Sequence, residues 1–163
     1  INNRMKLHEI ISQQVDFNNW VMPSVDDLSR EYKVEYILKD LPDVINIDPF
    51  PTEKSFIEAV NSSKTEKITR DMDKSISYRS RINNKNDLLS LIKSYRSYPQ
   101  YRNEKTLDEI FNGFNDNKPM VRPIILDING RKRIFSGNTR MDVAYMLGIE
   151  PECVVVKISE TAS

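Results

Sequence analysis

The chain of 163 residues is long enough for one ordinary domain, or for one small domain that carries a helical extension, and too short for two large domains. Hydrophobic residues make up 39% of the sequence and charged residues 29%, which is typical of a soluble globular protein and argues against a wholly disordered chain. A single cysteine cannot form an internal disulfide, the start INNRMKLHE does not resemble a signal peptide, and no apolar run approaches the roughly 20 residues that cross a bilayer. We therefore expect a cytoplasmic protein with no membrane contact.

The charges balance overall but are unevenly distributed along the chain. The sequence contains 24 lysine and arginine residues against 24 aspartate and glutamate residues. Residues 1–75 hold 10 basic and 14 acidic side chains, whereas residues 76–163 hold 14 basic and 10 acidic ones. A phosphorylated partner is therefore expected to bind the second half of the chain.

The first half is predicted to consist of helices separated by turns. Ser24 is predicted to cap a helix that has an acidic first turn and ends near Pro42. Thr52 is predicted to cap a second helix. The apolar face of that second helix is formed by Phe56, Ile57 and Val60. We interpret residues 1–75 as an acidic helical extension that contacts a protein partner or a second copy of the chain.

The middle of the chain carries weaker signals. From Lys64 to Lys85 the sequence is polar and charged, so we expect irregular structure or one short helix there, acting as a hinge between the halves. Asn86 is then predicted to cap one helix, and Thr106 another, with Glu109 three residues later as in a capping box. The apolar stripe of the last helix comprises Leu107, Ile110, Phe111 and Phe114.

The last third changes to β-rich character. Residues 120–128 (MVRPIILDI) predict a strand, Asn129-Gly130 a hairpin turn, and residues 131–135 a second strand. Residues 138–147 predict a helix that stops at Gly148. Its apolar residues Met141, Ala144, Tyr145 and Leu147 are expected on or near one face. A largely buried strand from Cys153 to Ile158 follows.

The chemistry-bearing motif is the corner Ser136-Gly137-Asn138-Thr139-Arg140. A strand that ends in glycine and leads directly into a helix leaves backbone N–H groups at the positive end of the helix dipole, where phosphate binds. Gly137 permits the turn and Arg140 can contact phosphate in a bidentate manner. The corner is neither a GxxxxGK[ST] loop nor a GxGxxG fingerprint, and glycine and asparagine also occur where a turn simply needs them.

The stretch RPIILDINGRKRIFSGNTRMDVAYMLGIEPECVVVKI resembles the core of the ParB/sulfiredoxin superfamily, and the match covers residues 119–158. Residues Gly137, Arg140, Ala144, Leu147 and Gly148 fall on the family frame G-x-x-R-x-x-x-A-x-x-L-G, and Pro123 introduces the first strand. The resemblance implies an α+β fold over residues 76–163, with a small mixed β-sheet and a strand–GxxR–helix phosphate loop, preceded by the helical extension.

The resemblance also implies nucleotide binding, with ATP or CTP and Mg²⁺ as the expected ligands, and phosphate contacts from Ser136 to Arg140. Family members include CTP-binding partitioning proteins, ATP-dependent sulfinic acid reductases and a free serine kinase, so the shared property is phosphate binding and not one reaction. Asn138 stands where sulfiredoxins place a nucleophilic cysteine, which argues against that activity. Asn138 and Thr139 also replace the glutamate and first arginine of the partitioning proteins' G-E-R-R, which puts nucleotide hydrolysis in doubt.

A basic segment upstream offers further contacts. In this family an upstream segment completes the nucleotide pocket, and Arg79 and Arg81 are the candidates for it. Residues 76–105 hold seven basic and two acidic side chains, with tyrosines between the arginines, so Arg96 and Arg102 are candidates for nucleic-acid contacts. The alternative is that the tyrosines pack against the fold and the charges are solvated.

Catalytic candidates are few. Asp127 and Asp142 are the carboxylates nearest in sequence to the corner and the only weak candidates for an acid–base role. With one histidine and one cysteine, the chain cannot build an ordinary zinc site. We expect a ParB-like phosphate-binding domain, either an ATP-dependent phosphotransferase or a nucleotide hydrolase of bacterial or phage nucleic-acid metabolism. The alternative is a non-enzymatic DNA-binding or protein-interaction module with a degenerate phosphate loop.

Overall fold

A computed structural model describes residues 15–33, 48–69, 86 and 104–159. These residues form a mixed α/β structure with four helices and two small sheets, in agreement with the predicted α+β class. In chain order the elements are β1 (Trp20–Val21), α1 (Val25–Glu31), α2 (Glu53–Ser62), β2 (Lys64–Lys67), α3 (Glu104–Asn115), β3 (Met120–Val121), β4 (Ile124–Ile128), β5 (Arg131–Ser136), α4 (Asn138–Met146) and β6 (Glu152–Ile158).

The larger sheet has the strand order β2-β6-β4-β5. Strands β4 and β5 form an antiparallel hairpin, and α4 carries the chain from β5 to β6, which lies parallel to β4 on its other side. Asn129 and Gly130 both have positive φ, at 53° and 89°, as the central residues of a type I′ hairpin turn require. The predicted hairpin and the predicted last strand are therefore confirmed.

Strand β2 corrects the prediction of irregular structure or a short helix after residue 64. It pairs antiparallel with β6, with Lys64 opposite Val155 and Lys67 opposite Glu152. All four of its side chains are exposed, so the sequence has no apolar alternation to mark a strand. Its place in the sheet comes from main-chain hydrogen bonds to β6, and these form only once the chain has folded. Residues 70–85 lie outside the described part of the chain.

One face of the large sheet packs against α1 and α2. This core contains Leu28, Phe50, Phe56, Val60, Ile124, Leu126, Ile128, Phe135, Val154, Val156 and Ile158. Phe56 is fully buried, and its ring lies 5.2 Å from that of Phe135 on β5. The described residues of the predicted extension thus share a core with the β-rich segment.

The other face of the sheet packs against α4. Met141 is fully buried there with Ile125 and Val155, and Tyr145 packs against the same cluster. The opposite side of α4, with Val143, Ala144, Met146 and Leu147, packs against Ile110, Phe111 and Phe114 of α3. The predicted apolar residues of this helix therefore do not share one face, because α4 lies between two partners and is buried on both sides.

The strand predicted over residues 120–128 is interrupted at Arg122 and Pro123. Its first part, β3, pairs in parallel with β1, so that Trp20 lies opposite Met120. Its second part is β4 of the large sheet. A proline cannot donate a main-chain hydrogen bond to a ladder, which explains why the strand divides at this point.

Several predicted helix ends are confirmed. Ser24 and Thr52 each form a capping box with the third helical residue. At the end of α4, Gly148 has φ of 72°, the Ile149 N–H donates to the Ala144 carbonyl, and the Gly148 N–H donates to that of Tyr145, which is a Schellman motif. Thr106 was predicted to cap α3, but the helix already begins at Glu104, so Thr106 lies within its first turn. The helix predicted from Asn86 lies outside the described residues apart from Asn86 itself.

We predict that Thr52→Ala lowers the free energy of unfolding by about 1 kcal/mol, because the Ser55 N–H at the start of α2 loses its acceptor. Urea denaturation followed by circular dichroism measures this change. Thr52→Ser keeps the capping hydroxyl and is the matched control. Equal stability of the two variants would contradict a stabilising cap.

Candidate functional site

The predicted phosphate corner lies where β5 leads into α4. Gly137 is the N-cap of α4, with φ of 97° and ψ of 23°, and the Met141 N–H donates to its carbonyl at 3.0 Å. Having no side chain, Gly137 offers no capping acceptor to the first turn of the helix. The amides of Asn138 and Thr139 thus begin a helix whose N-cap residue has no side-chain acceptor for them.

Gly137 is also required by close packing. A Cβ atom at this position would lie 2.7 Å from the Pro123 Cβ and 2.9 Å from the Arg140 Nη2. Any other residue at this position would therefore have to adopt a left-handed backbone conformation, and its Cβ atom would also clash with the proline ring. The corner is fixed against Pro123, the residue that separates β3 from β4.

Arg140 is held at the same corner. Its side chain is buried, with 8% of the residue exposed, and its Nη1 donates to the Val121 carbonyl at 3.0 Å. This contact ties the start of α4 to β3. The guanidinium group is therefore fixed in place by the fold and does not move freely in solvent.

Ser136 is positioned by an irregularity in the β4–β5 ladder. Ile125 lies opposite Ile134, but Ile124 lies opposite Ser136, so the register shifts by one residue at Phe135. Such a bulge redirects the side chains that follow it. Ser136 is buried, and both it and Ile124 line the same cavity.

This cavity has a volume of about 220 Å³ and lies between α1, the end of the large sheet and the β3 segment. Its polar lining consists of Asp27, Arg30, Glu31, Arg122, Ser136 and Arg140. Apolar side chains and prolines, among them Ile110 and Met120, complete the wall. Of the five predicted corner residues, Ser136 and Arg140 line the cavity, whereas Gly137, Asn138 and Thr139 do not.

Arg122 is a site residue that sequence reasoning missed. Its Nη2 lies 3.4 Å from the Glu152 Oε2, longer than the roughly 2.7–2.9 Å of a strong charge-assisted hydrogen bond. Its Nε is buried and has no hydrogen-bond partner in the described part of the chain. The sequence places an arginine directly before a proline here, and nothing in that pattern marks a ligand contact.

Helix α1 supplies the other charged part of the wall, which the sequence did not indicate either. Arg30 Nη2 donates to the Asp27 Oδ1 at 2.8 Å, and the Ser24 N–H donates to the Asp27 Oδ2 at 3.1 Å. Burial acts to raise the pKa of Asp27, but the hydrogen bonds from the Ser24 backbone and side chain and from Arg30 outweigh it and hold the pKa below its ordinary value. Asp27 is therefore ionised at neutral pH, and it both caps α1 and lines the cavity.

The remaining predicted residues lie elsewhere. Asp127 accepts a hydrogen bond from the Gly130 N–H at 2.9 Å in the hairpin turn, three strand residues or roughly 10 Å from Ile124, so it does not reach the cavity. Asp142 is buried in α4 and does not line the cavity. The candidates Arg79, Arg81, Arg96 and Arg102 lie outside the described residues.

Within residues 15–33, 48–69 and 104–159, no group of three or more histidine, cysteine, aspartate or glutamate side chains could hold a metal ion. None of the helices in those ranges is long and apolar enough to cross a membrane. In comparisons with known proteins, the chain matches no protein-family model, no curated protein and no solved structure.

We predict that Gly137→Ala destabilises the protein by about 1–3 kcal/mol more than Gly130→Ala does. Both glycines have φ near 90°, so both variants carry the strain of a left-handed alanine. Only at Gly137 does the new Cβ meet Pro123, whereas nothing lies within 4 Å of it at Gly130. Equal losses of unfolding free energy in urea would contradict the packing role of the Gly137–Pro123 contact.

We also predict that the stability difference between the wild type and Asp27→Asn depends on pH. A carboxyl group whose pKa is lowered by folding stabilises the native state above its unfolded pKa of about 4, and that contribution disappears as pH falls through the folded pKa. Thermal unfolding between pH 7 and pH 2.5 measures it. Asp26→Asn, at an exposed position on the same helical turn, is the control for the loss of one negative charge from α1. A pH-independent difference for Asp27→Asn would contradict the role assigned to its ionised form.

Proposed function

We propose that the protein binds a phosphate group of a nucleotide or nucleic acid in the cavity beside the Ser136–Arg140 corner. The observation that carries this proposal is that one cavity is lined by Arg30, Arg122, Arg140 and the buried Ser136. Arginine is the side chain best suited to phosphate, because its planar guanidinium group presents paired N–H donors to two oxygens. Three guanidinium groups exceed the two carboxylates of the same lining.

The contacts already present favour a fixed arrangement of donors. Arg140 is held by the Val121 carbonyl, so its guanidinium group needs little ordering when an anion arrives. Arg122 presents a buried Nε, and a buried donor that gains an oxyanion recovers the free energy lost when water was excluded from it. A bound triphosphate would bring Mg²⁺ as its companion ion.

The proposal includes a ParB/sulfiredoxin-like origin for this corner. The order hairpin, glycine turn, helix and last strand, with β6 parallel to β4, supports it. Catalysis is not part of the proposal, because Asp127 lies in the hairpin turn and Asp142 does not line the cavity. The function that the geometry favours is therefore binding, since neither of the carboxylates predicted for an acid–base role lines the cavity.

A specific observation favours the second candidate, a DNA-binding or protein-interaction module with a degenerate phosphate loop. Gly137 packs against Pro123, and Arg140 donates a hydrogen bond to the Val121 carbonyl. These structural roles are enough to explain the two most characteristic residues of the corner without a ligand. The basic run Arg131-Lys132-Arg133 on β5 would then contact nucleic acid while the cavity stays uninvolved.

We predict that Arg122→Gln weakens binding of ATP, CTP or inorganic phosphate at least about tenfold, because a hydrogen bond to a charged group contributes roughly 1.5–3 kcal/mol. Isothermal titration calorimetry, with and without Mg²⁺, measures the affinity. Arg131→Gln removes the same charge from an exposed position in the hairpin and is the matched control. Arg122 is preferred to Arg140 for this test because Arg140 also holds β3 in place.

Two results would count against the cavity as the phosphate-binding site. One is equal phosphate affinity in Arg122→Gln and Arg131→Gln. The other is the absence of any phosphate or nucleotide binding, combined with salt-sensitive DNA binding that Arg131→Gln weakens and Arg122→Gln does not, which would support the second candidate.

A further inference from the structure

The main chain around Arg122 is fixed between β1 and β6. The Arg122 N–H donates to the Val21 carbonyl at 2.8 Å, and the carbonyl of the next residue, Pro123, accepts from the Val154 N–H at 2.9 Å. Glu152 lies two residues before Val154, at the start of β6. These main-chain bonds bring the side chains of Arg122 and Glu152 together, although 30 positions separate them along the chain.

The ion pair of Arg122 and Glu152 is long and partly shielded from water. Its Nη2 and Oε2 atoms are 3.4 Å apart, and the side chains are 20% and 31% exposed. Arg30, which also lines the cavity, differs in both respects, since it donates to Asp27 at 2.8 Å and its side chain is 65% exposed. Arg30 therefore has a close counter-charge in contact with solvent. Glu152 offsets the charge of Arg122 less completely, and the Arg122 Nε has no hydrogen-bond partner in the described part of the chain.

Glu152 opposes the binding of any anion at Arg122. It does not line the cavity itself, but an anion on Arg122 would lie beside the guanidinium group that Glu152 also contacts. Coulomb energy is proportional to the product of the two charges, so repulsion by Glu152 costs a doubly charged anion twice the free energy that it costs a singly charged one. Salt screens partly buried charges less than exposed ones. The penalty from Glu152 therefore falls mainly on doubly charged ligands.

We propose that Glu152 is a specificity residue of the phosphate site, whose charge shifts the preference of the cavity from doubly charged phosphate monoesters towards singly charged phosphodiesters. This inference rests on the proposed phosphate binding and adds to it a residue outside the cavity. Phosphodiesters form the backbone of a nucleic-acid strand, with one negative charge on each phosphate. Glu152 thus favours the internal phosphates of a strand relative to terminal phosphates and free nucleotides.

The test measures how Glu152→Gln changes the affinity for methyl phosphate and for dimethyl phosphate. Titrations followed by nuclear magnetic resonance on the whole chain, at about pH 8 and about 0.15 M salt, give both affinities, and the monoester is then doubly charged. Glu152→Gln should raise the affinity for methyl phosphate about tenfold and that for dimethyl phosphate about threefold. The second gain is smaller because half the ligand charge gives half the change in free energy.

Two further variants separate charge from shape. Glu150→Gln removes the same charge from an exposed position two residues earlier and is the matched control, which should change neither affinity. Glu152→Ala removes the charge without introducing an amide, and it should give the same ratio between the two gains.

A double variant tests whether Glu152 acts at Arg122. Arg122→Gln combined with Glu152→Gln removes both charges and leaves no unpaired charge at this position, so it also shows the effect of Glu152 in a protein without that source of instability. In the Arg122→Gln background, the gain from Glu152→Gln should be at least about threefold smaller than in the wild type, because the phosphate is no longer held beside Glu152.

The failures of the two proposals are distinguishable. Unchanged or weaker binding of methyl phosphate by Glu152→Gln overturns the specificity role, as do equal gains for the two ligands or an equal gain in the Arg122→Gln background. In each of these cases, weaker phosphate binding by Arg122→Gln alone would still support the phosphate site. If Arg122→Gln binds methyl phosphate as tightly as the wild type does, or if no phosphate compound binds, both proposals are overturned together.

Discussion

The contact between Gly137 and Pro123 is the constraint on which the site depends. It brings the end of β5 against the residue that precedes β4, and no side chain larger than hydrogen fits between them. The chain can turn there only with a left-handed backbone, and it then enters α4 directly. Arg140 follows within one helical turn and reaches the Val121 carbonyl. The position of the buried guanidinium group is therefore a consequence of a backbone contact.

The cavity is composite, because segments far apart in sequence build its wall. Helix α1 belongs to the acidic first half, and Leu28 anchors it in the core beneath the large sheet. The same helix presents Asp27, Arg30 and Glu31 to the cavity. Loss of the Ser24 cap would therefore loosen both the core contact and one part of the wall. The described part of the segment that the sequence predicts to be a helical extension thus contributes to the cavity and to the core.

The sequence could predict those features of the fold that a residue and its immediate neighbours in the chain determine. The Asn129-Gly130 turn, the caps at Ser24 and Thr52 and the stop at Gly148 follow from residues that act on their own backbone. Strand β2, the division of the 120–128 strand, the two-sided burial of α4 and the bulge that places Ser136 all depend on partners distant in sequence. Arg122 and α1 were missed as site elements for the same reason, since no spacing along the chain shows that they meet at one cavity.

The charged residues of β2 and β5 also bear on how copies of the protein meet. In the described sheet these are the outer strands, and open sheet edges are where chains pair with one another and aggregate. Strand β2 has the sequence KTEK with all side chains exposed, and β5 begins with Arg131-Lys132-Arg133. Two β5 edges that approached one another would bring like charges together. The charged residues that leave β2 without an apolar pattern, together with those of β5, thus oppose growth of the sheet by addition of further chains.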